Sequence, residues 1–102
     1  MGNVKLTLSN AGHNRWRLGL LGDAYRYVVE FPLDKIIVRL PGKNDIIVTA
    51  LATYKHGSIT NPKINSWIIE KGWTRIEKDK VKMLSFRFSY YNGVHVYEYL
   101  GK

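Results

Sequence analysis

The chain contains no cysteine and no glutamine among its 102 residues. Without cysteine it has neither a disulfide framework nor thiolate chemistry, which is typical of intracellular proteins. Its longest apolar candidate, IIVTALATY at residues 46–54, is interrupted by threonines, and a membrane helix needs roughly 20 apolar residues. The first residues, MGNVKLTLS, also lack the charged-then-apolar pattern of a signal peptide. We therefore predict a cytoplasmic protein that has no membrane partner.

Signatures of an enzyme are missing as well. The three histidines, His13, His56 and His95, lie too far apart for a local metal motif, and no cysteine can join them. The glycine-containing stretches SNAGHN and LPGKND do not end in the Gly-Lys-Ser/Thr of a phosphate-binding loop. The stretch HGSIT is not a nucleophile elbow. We predict a non-enzymatic protein with no catalytic residues, no metal and no cofactor.

Positive charge is in excess. The chain has 16 Lys and Arg residues against 8 Asp and Glu, which gives a net charge of +8. Such a surface favours acidic partners, including nucleic acids and acidic proteins. The cations are dispersed, however, and the one cluster, RIEKDKVK at residues 75–82, is interrupted by two acids. The charge thus predicts an acidic partner without marking one contact surface.

The chain also resembles itself at an offset of 48 residues. At this offset, the apolar and polar positions of residues 38–48 align with those of residues 86–96. An even offset keeps each strand residue on its own face of a sheet, because side chains alternate with period two. We predict a single domain with an internal duplication, its copies covering about residues 1–50 and 51–102.

One helix is indicated in the second copy by TNPKINSWIIEKGW, in which Asn61 is the cap, Pro62 takes the first helical position and Gly72 stops the helix. The matching residues 14–22 are ambiguous. The duplication favours a short helix there, whereas the alternation of apolar residues also fits a hairpin that turns at Gly22.

Strands are indicated by segments rich in β-branched and aromatic residues. In sequence order these segments are YRYVVEF, KIIVRL and IIVTALATY in the first copy, and WTRIE, VKMLSFRFSY and VHVYEYL in the second. Each copy therefore reads as a leading strand, a helix and a three-stranded antiparallel meander. The predicted fold class is α+β with two pseudo-symmetric copies.

The segment FRFSYYNGVHVYEY contains the strongest hairpin signal, because Asn92-Gly93 suits a two-residue turn with both φ angles positive. This turn sets Arg87 opposite Glu98 and gathers six rings on one face of the hairpin. The six are Phe86, Phe88, Tyr90, His95, Tyr97 and Tyr99. We predict that they form the core beneath the helix that carries Trp67. The alternative is an exposed platform on which bases stack.

The resemblance of this chain to known proteins depends on its overall composition, which lacks cysteine and glutamine, and on the stretches NSWIIEKGWTRIEKDKVKM and FRFSYYNGVHVYEY. In this it resembles the small orphan proteins of filamentous viruses that infect hyperthermophilic archaea, and more narrowly those of Acidianus filamentous virus. The resemblance implies an infected host cell as the setting and a double-stranded DNA genome nearby. It carries over no functional residue.

The leading functional hypothesis is a protein- or peptide-binding module. Two similar halves must meet at a seam, which forms a groove, and antiparallel meanders leave edge strands that can accept an extended peptide. The candidate groove residues are Ile46, Val48, Ala50, Ala52 and Tyr54. An open edge would equally allow a homodimer.

The alternative hypothesis is a basic nucleic-acid-binding protein, supported by the net charge and by the mixing of cations with aromatic residues. The candidate contacts are Arg15, Arg17, Arg26, Arg75, Lys78, Lys80 and Lys82. Because neutralised phosphates release counterions, such binding would weaken steeply as the salt concentration rises.

Overall fold

Alternating apolar and polar residues build one twisted sheet whose apolar side is covered by two helices. The computed structural model describes residues 2–10, 15–49, 57–73 and 82–101. In chain order its elements are β1 (Gly2–Asn10), β2 (Trp16–Leu20), α1 (Asp23–Glu30), β3 (Lys35–Arg39), β4 (Ile46–Thr49), β5 (Ser58–Ile59), α2 (Pro62–Glu70), β6 (Lys82–Tyr91) and β7 (Val94–Tyr99). The strands lie in the order β4-β3-β7-β6-β1-β2-β5, and every neighbouring pair is antiparallel except β3 and β7. The predicted α+β class is confirmed.

The β6–β7 hairpin has the predicted register. Asn92 and Gly93 adopt φ angles of 44° and 83°, as a tight turn of this kind requires. Arg87 lies opposite Glu98, and their side chains form an ion pair of 3.6 Å. This pair is half exposed to solvent and therefore adds little stability. The register is maintained instead by the apolar face on the other side.

The rings of this hairpin form the core, as predicted. Phe86, Phe88, His95 and Tyr97 are fully buried, and Tyr90 and Tyr99 are partly buried against them. The Tyr27 ring of helix α1 stacks on the Phe88 ring, with the ring centroids 4.4 Å apart. Helix α2 brings Trp67 edge-on to Tyr99 at 5.0 Å. Both helices cover the same face, so these rings cannot stack bases.

Helix α2 begins and ends where the sequence indicates. The Asn61 side chain accepts a hydrogen bond from the Lys63 N–H at 2.8 Å, and Pro62 occupies the first turn. Gly72, just past the helix, has a positive φ of 73°, which favours glycine. No helix in the described ranges is long and apolar enough to cross a membrane.

The prediction for the described part of residues 14–31 is wrong. Of the segment favoured as a helix, residues 16–20 form strand β2, and the segment YRYVVEF, predicted as a strand, lies in helix α1 except for Phe31. Ala24 and Val28 are buried one helical turn apart, which gives α1 its packing stripe. Gly22, with a φ of 58°, allows the chain to turn from β2 into α1. The hairpin alternative is right about its first strand, since Trp16, Leu18 and Leu20 alternate as buried residues of β2, and wrong about its second, since α1 follows the turn.

The duplication is not confirmed. At the offset of 48 residues, strands β3 and β4 do fall on β6 and β7, but strand β2 falls on helix α2. Each predicted three-stranded meander is reduced to a hairpin in the described residues, and the two hairpins meet through the parallel pair β3–β7. The predicted strand at residues 74–77 and the second half of residues 46–54 lie outside the described residues.

The buried ring of His95 predicts a pH dependence of stability. Its Nε2 donates to the Pro32 carbonyl at 3.0 Å, while Nδ1 has no hydrogen-bond partner among the described residues. Burial lowers the pKa of His95, because the low-dielectric core disfavours the charged imidazolium. Below the ordinary value of about 6.5, the unfolded chain binds this proton more readily, so the free energy of unfolding should fall as the pH falls.

Urea denaturation between pH 7.5 and 5.0 measures this dependence. We expect wild type to lose more stability over that range than a His95→Phe variant, whose ring fills the same space and does not titrate. Equal losses in both proteins would show that His95 is not responsible.

Candidate functional site

A cavity of about 720 Å³ opens where α2 begins, beside the β2–β5 edge of the sheet. Strand β5 pairs with β2, with Leu18 opposite Ile59, and the Asn65 side chain of α2 accepts a hydrogen bond from the Trp16 N–H at 2.8 Å. These contacts hold three elements around the cavity. Its walls consist of Arg15, Trp16, Arg17, Ser58, Thr60, Asn61, Pro62 and Asn65.

The walls present hydrogen-bond donors. Asn61 and Asn65 each use the side-chain carbonyl oxygen to accept a backbone N–H, which leaves both NH₂ groups as donors. Arg17 donates from Nε to the Ser9 hydroxyl at 3.3 Å, which places its side chain on the face of the sheet away from Trp16, and Arg15 is exposed at the same edge. None of the described residues contributes a carboxylate to the cavity. Such walls suit a ligand with several acceptor oxygens and negative charge.

One buried hydroxyl in these walls is unsatisfied. Ser58 is only 3% exposed, and its Oγ has no hydrogen-bond partner among the described residues. A buried hydroxyl without a partner costs about 1–3 kcal/mol. Because Ser58 lies opposite Gly19 in the sheet, this hydroxyl is on the face away from Trp16 and Leu18.

The described acidic groups do not line this cavity, and all of them except Asp34 are paired with other cations. The described ion pairs are Arg26 with Asp23 and Glu30, Arg39 with Asp45, Lys43 with Glu70, and Arg87 with Glu98. The remaining described acid, Asp34, follows α1 and bonds through its N–H to the Gly93 carbonyl.

Two cations that line the cavity and one that follows its lining residue Pro62 in α2, by contrast, have no acidic partner within the described ranges. Arg15 and Arg17 line the cavity, and Lys63 lies in the first turn of α2, which contains no acid. The positive end of the helix dipole adds to the same potential. We call Arg15, Arg17 and Lys63 the basic corner.

The predicted nucleic-acid contacts are only partly brought together. Arg15 and Arg17 lie side by side in the basic corner, whereas Arg26 lies on α1 between two acids. Lys82 lies on β6, with its Nζ 5.1 Å from the centroid of the half-buried Trp73 ring. Arg75, Lys78 and Lys80 lie outside the described residues.

The predicted peptide groove is not formed by the residues that were chosen for it. Ile46 and Val48 are each 3% exposed, because their side chains face the helices and belong to the core. Ala50, Ala52 and Tyr54 lie outside the described residues. Strand β4 does lie at one edge of the described sheet, and binding of a peptide or a second copy at this edge stays a prediction.

Ser58, Thr60, Asn61 and Asn65 were not predicted as site residues. The sequence marks Asn61 only as a helix cap. It gives no sign that Ser58 lies opposite Gly19, because the β2–β5 pairing joins segments far apart in the chain.

Comparison with known proteins identifies no relative: no family model, curated protein or solved structure matches this chain. Within the described ranges, no three His, Cys, Asp or Glu side chains gather as metal ligands. The functional assignment therefore depends on the chemistry of the basic corner.

Proposed function

We propose that the protein binds nucleic acid, with the basic corner contacting phosphates. The observation that carries this proposal is the separation of charge. Arg15, Arg17 and Lys63 have no acidic partner in the described part of the chain, whereas all but one of the described acids are paired with other cations.

The chemistry of the corner favours phosphate over other acidic groups. Arginine presents a planar fork of N–H donors that matches two phosphate oxygens at once. The adjacent cavity adds hydroxyl and amide donors, which commonly contact the phosphate and sugar groups of a strand. The net charge of +8 would in addition steer a polyanion toward the protein.

The proposal predicts a steep salt dependence that the basic corner controls. Fluorescence anisotropy of labelled single- and double-stranded DNA between 50 and 300 mM KCl would give the slope of log K against log[KCl]. Because each phosphate contact contributes about 0.7–0.9 to that slope, an Arg15→Ala/Arg17→Ala variant should lose between about 1.4 and 1.8. Its affinity should fall roughly 10- to 100-fold at 0.1 M salt.

A matched control removes the same charge elsewhere. The Arg39→Ala/Arg87→Ala variant loses two exposed arginines that form ion pairs with Asp45 and Glu98. We expect the affinity of this variant for DNA to change about threefold at most, since the two replaced arginines make no direct phosphate contact in the proposed complex. Equal weakening of DNA binding in both double variants would show that net charge, and not the basic corner, determines the affinity. An affinity of wild type that does not change with salt concentration would overturn the proposal.

A further inference from the structure

We infer that strand β4 pairs with the β4 strand of a second copy, antiparallel and centred on Ile47, so that two copies form a homodimer through one edge of the sheet. This inference goes beyond nucleic-acid binding and concerns the other end of the sheet. In the strand order, β4 is one outer strand, whereas β2 and β5, which border the basic corner, lie at the opposite edge.

Strand β4 lacks the features that usually protect the edge of a sheet. Natural edge strands are kept from pairing by charged side chains, by proline or by being very short. The four residues of β4, Ile46–Thr49, include no charge and no proline, whereas the other outer strand, β5, has only two residues. Within the described sheet β4 pairs with β3 alone, so its other side can accept a further strand.

The sequence of this edge is complementary to itself. An antiparallel pairing centred on Ile47 sets Ile47 opposite Ile47 of the second copy, Ile46 opposite Val48, and Asp45 opposite Thr49. Directly opposite residues share one face of a sheet. Ile46 and Val48, each 3% exposed, face the helices. The pairing therefore joins the inner faces of the two copies through apolar side chains alone.

On the outer face, the pairing covers an exposed apolar side chain. Ile47 is 62% exposed and lies opposite Ile37 of β3, which in turn lies beside Val96 of β7. The dimer joins this row of three residues to the same row of the second copy. Contacts between β-branched side chains across two strands stabilise a sheet, and here they also remove an apolar side chain from water.

The charges beside Ile47 match in the same register. Lys35 lies opposite Thr49 and has no ion pair within the described residues, while Asp45 forms an ion pair with Arg39 at 3.2 Å. In the dimer, Asp45 of the second copy lies on the other side of Thr49, two strand spacings or about 10 Å from the Lys35 backbone. The long lysine side chain spans that distance, so opposite charges flank the apolar row on both sides of the two-fold axis.

Sedimentation equilibrium of the whole chain measures the dimer. A pairing of so few residues buries less surface than a stable complex usually does, so we expect a dissociation constant of about 10–500 µM. Ile47→Lys should raise this constant at least about tenfold, because two like charges then lie directly opposite each other. The fold should be retained, since lysine is common on edge strands.

Ile69→Lys is the matched control. It adds the same charge at a residue of α2 that is 48% exposed and lies away from β4 in the sequence of elements. We expect the dissociation constant of this variant to stay within about twofold of the wild-type value, as for an ordinary surface substitution.

A disulfide tests the register. The chain has no cysteine, so Ile47→Cys introduces a single thiol. Directly opposite residues of antiparallel strands have Cα atoms about 4.5–5.5 Å apart, a separation that a disulfide can bridge, so under mild oxidation this variant should form a covalent dimer at least about tenfold faster than Thr49→Cys does. Thr49 lies on the same face of the same strand, but in this register the two Thr49 residues are about 14 Å apart along the strands.

Each contrary result counts against the inference. The mass of a single chain for wild type at about 500 µM would overturn it and leave the β4 edge to an extended peptide. A dimer that Ile47→Lys does not weaken, or that both lysine variants weaken equally, would show that the copies meet elsewhere. Equal rates of crosslinking at residues 47 and 49 would overturn the register centred on Ile47.

Discussion

Replacement of Phe88 by alanine is expected to lower the free energy of unfolding by about 4 kcal/mol, which is within the usual range for a buried phenylalanine. The Phe88 ring is fully buried and stacks on Tyr27 at 4.4 Å. It also contacts the rings of Tyr97 at 5.2 Å and His95 at 5.3 Å. Alanine would leave a cavity and remove the ring on which Tyr27 of helix α1 stacks. Urea denaturation followed by tryptophan fluorescence measures the change.

Tyr91→Ala on the same strand is the matched control. Tyr91 is an aromatic residue of similar size but is 74% exposed, on the opposite face of β6. Its loss should cost below about 1 kcal/mol, mostly through strand propensity. If Phe88→Ala does not fold, Phe88→Leu serves in its place with a smaller expected cost. Comparable losses at Phe88 and Tyr91 would contradict the assignment of the ring face to the core.

Replacement of Val28 by aspartate is expected to cost about 4 kcal/mol, because it places an unpaired charge in the core. Val28 is 6% exposed on the inner stripe of α1. Its neighbour Val29 is 68% exposed, and Val29→Asp should cost below about 1 kcal/mol. Thermal unfolding of the two variants, which have identical charge, measures the difference directly.

This pair of variants distinguishes the helix from the strand that the sequence suggested. A strand over YRYVVEF would place Tyr25, Tyr27 and Val29 on one inward face and Val28 on the outward face, so the costs would be reversed. If Val28→Asp abolishes folding altogether, Val28→Ala and Val29→Ala retain the comparison. Similar stability of the two alanine variants would contradict α1.

Local chemistry was enough to predict some elements. The β6–β7 hairpin follows from the Asn92-Gly93 turn and the alternating rings, and helix α2 follows from its cap at Asn61. Both signals act between residues that are near in sequence. Helix α1 was missed because Tyr25, Tyr27 and Val29 imitate a strand. What decides its structure is the burial of Ala24 and Val28 against the sheet, which depends on distant segments.

The candidate site was predictable to the same limited degree. Arg15 and Arg17 were identified from charge and aromatic neighbours, but Arg26 could not be separated from them without knowing that α1 surrounds it with acids. Ser58 could not be identified at all. Ser58 is distinguished only by being buried without a hydrogen-bond partner among the described residues. Burial is a property of the assembled sheet.

The strand order has a consequence for synthesis of the protein. Strands β6 and β7 are the last of the described strands to leave the ribosome, yet they occupy the middle of the sheet. Until they emerge, β1–β2 and β3–β4 are two separate hairpins with no common neighbour in the sheet, although helices α1 and α2 have already been made. Assembly of the whole sheet therefore waits for its central strands, and a pause before residue 82 would prolong the exposure of the incomplete core.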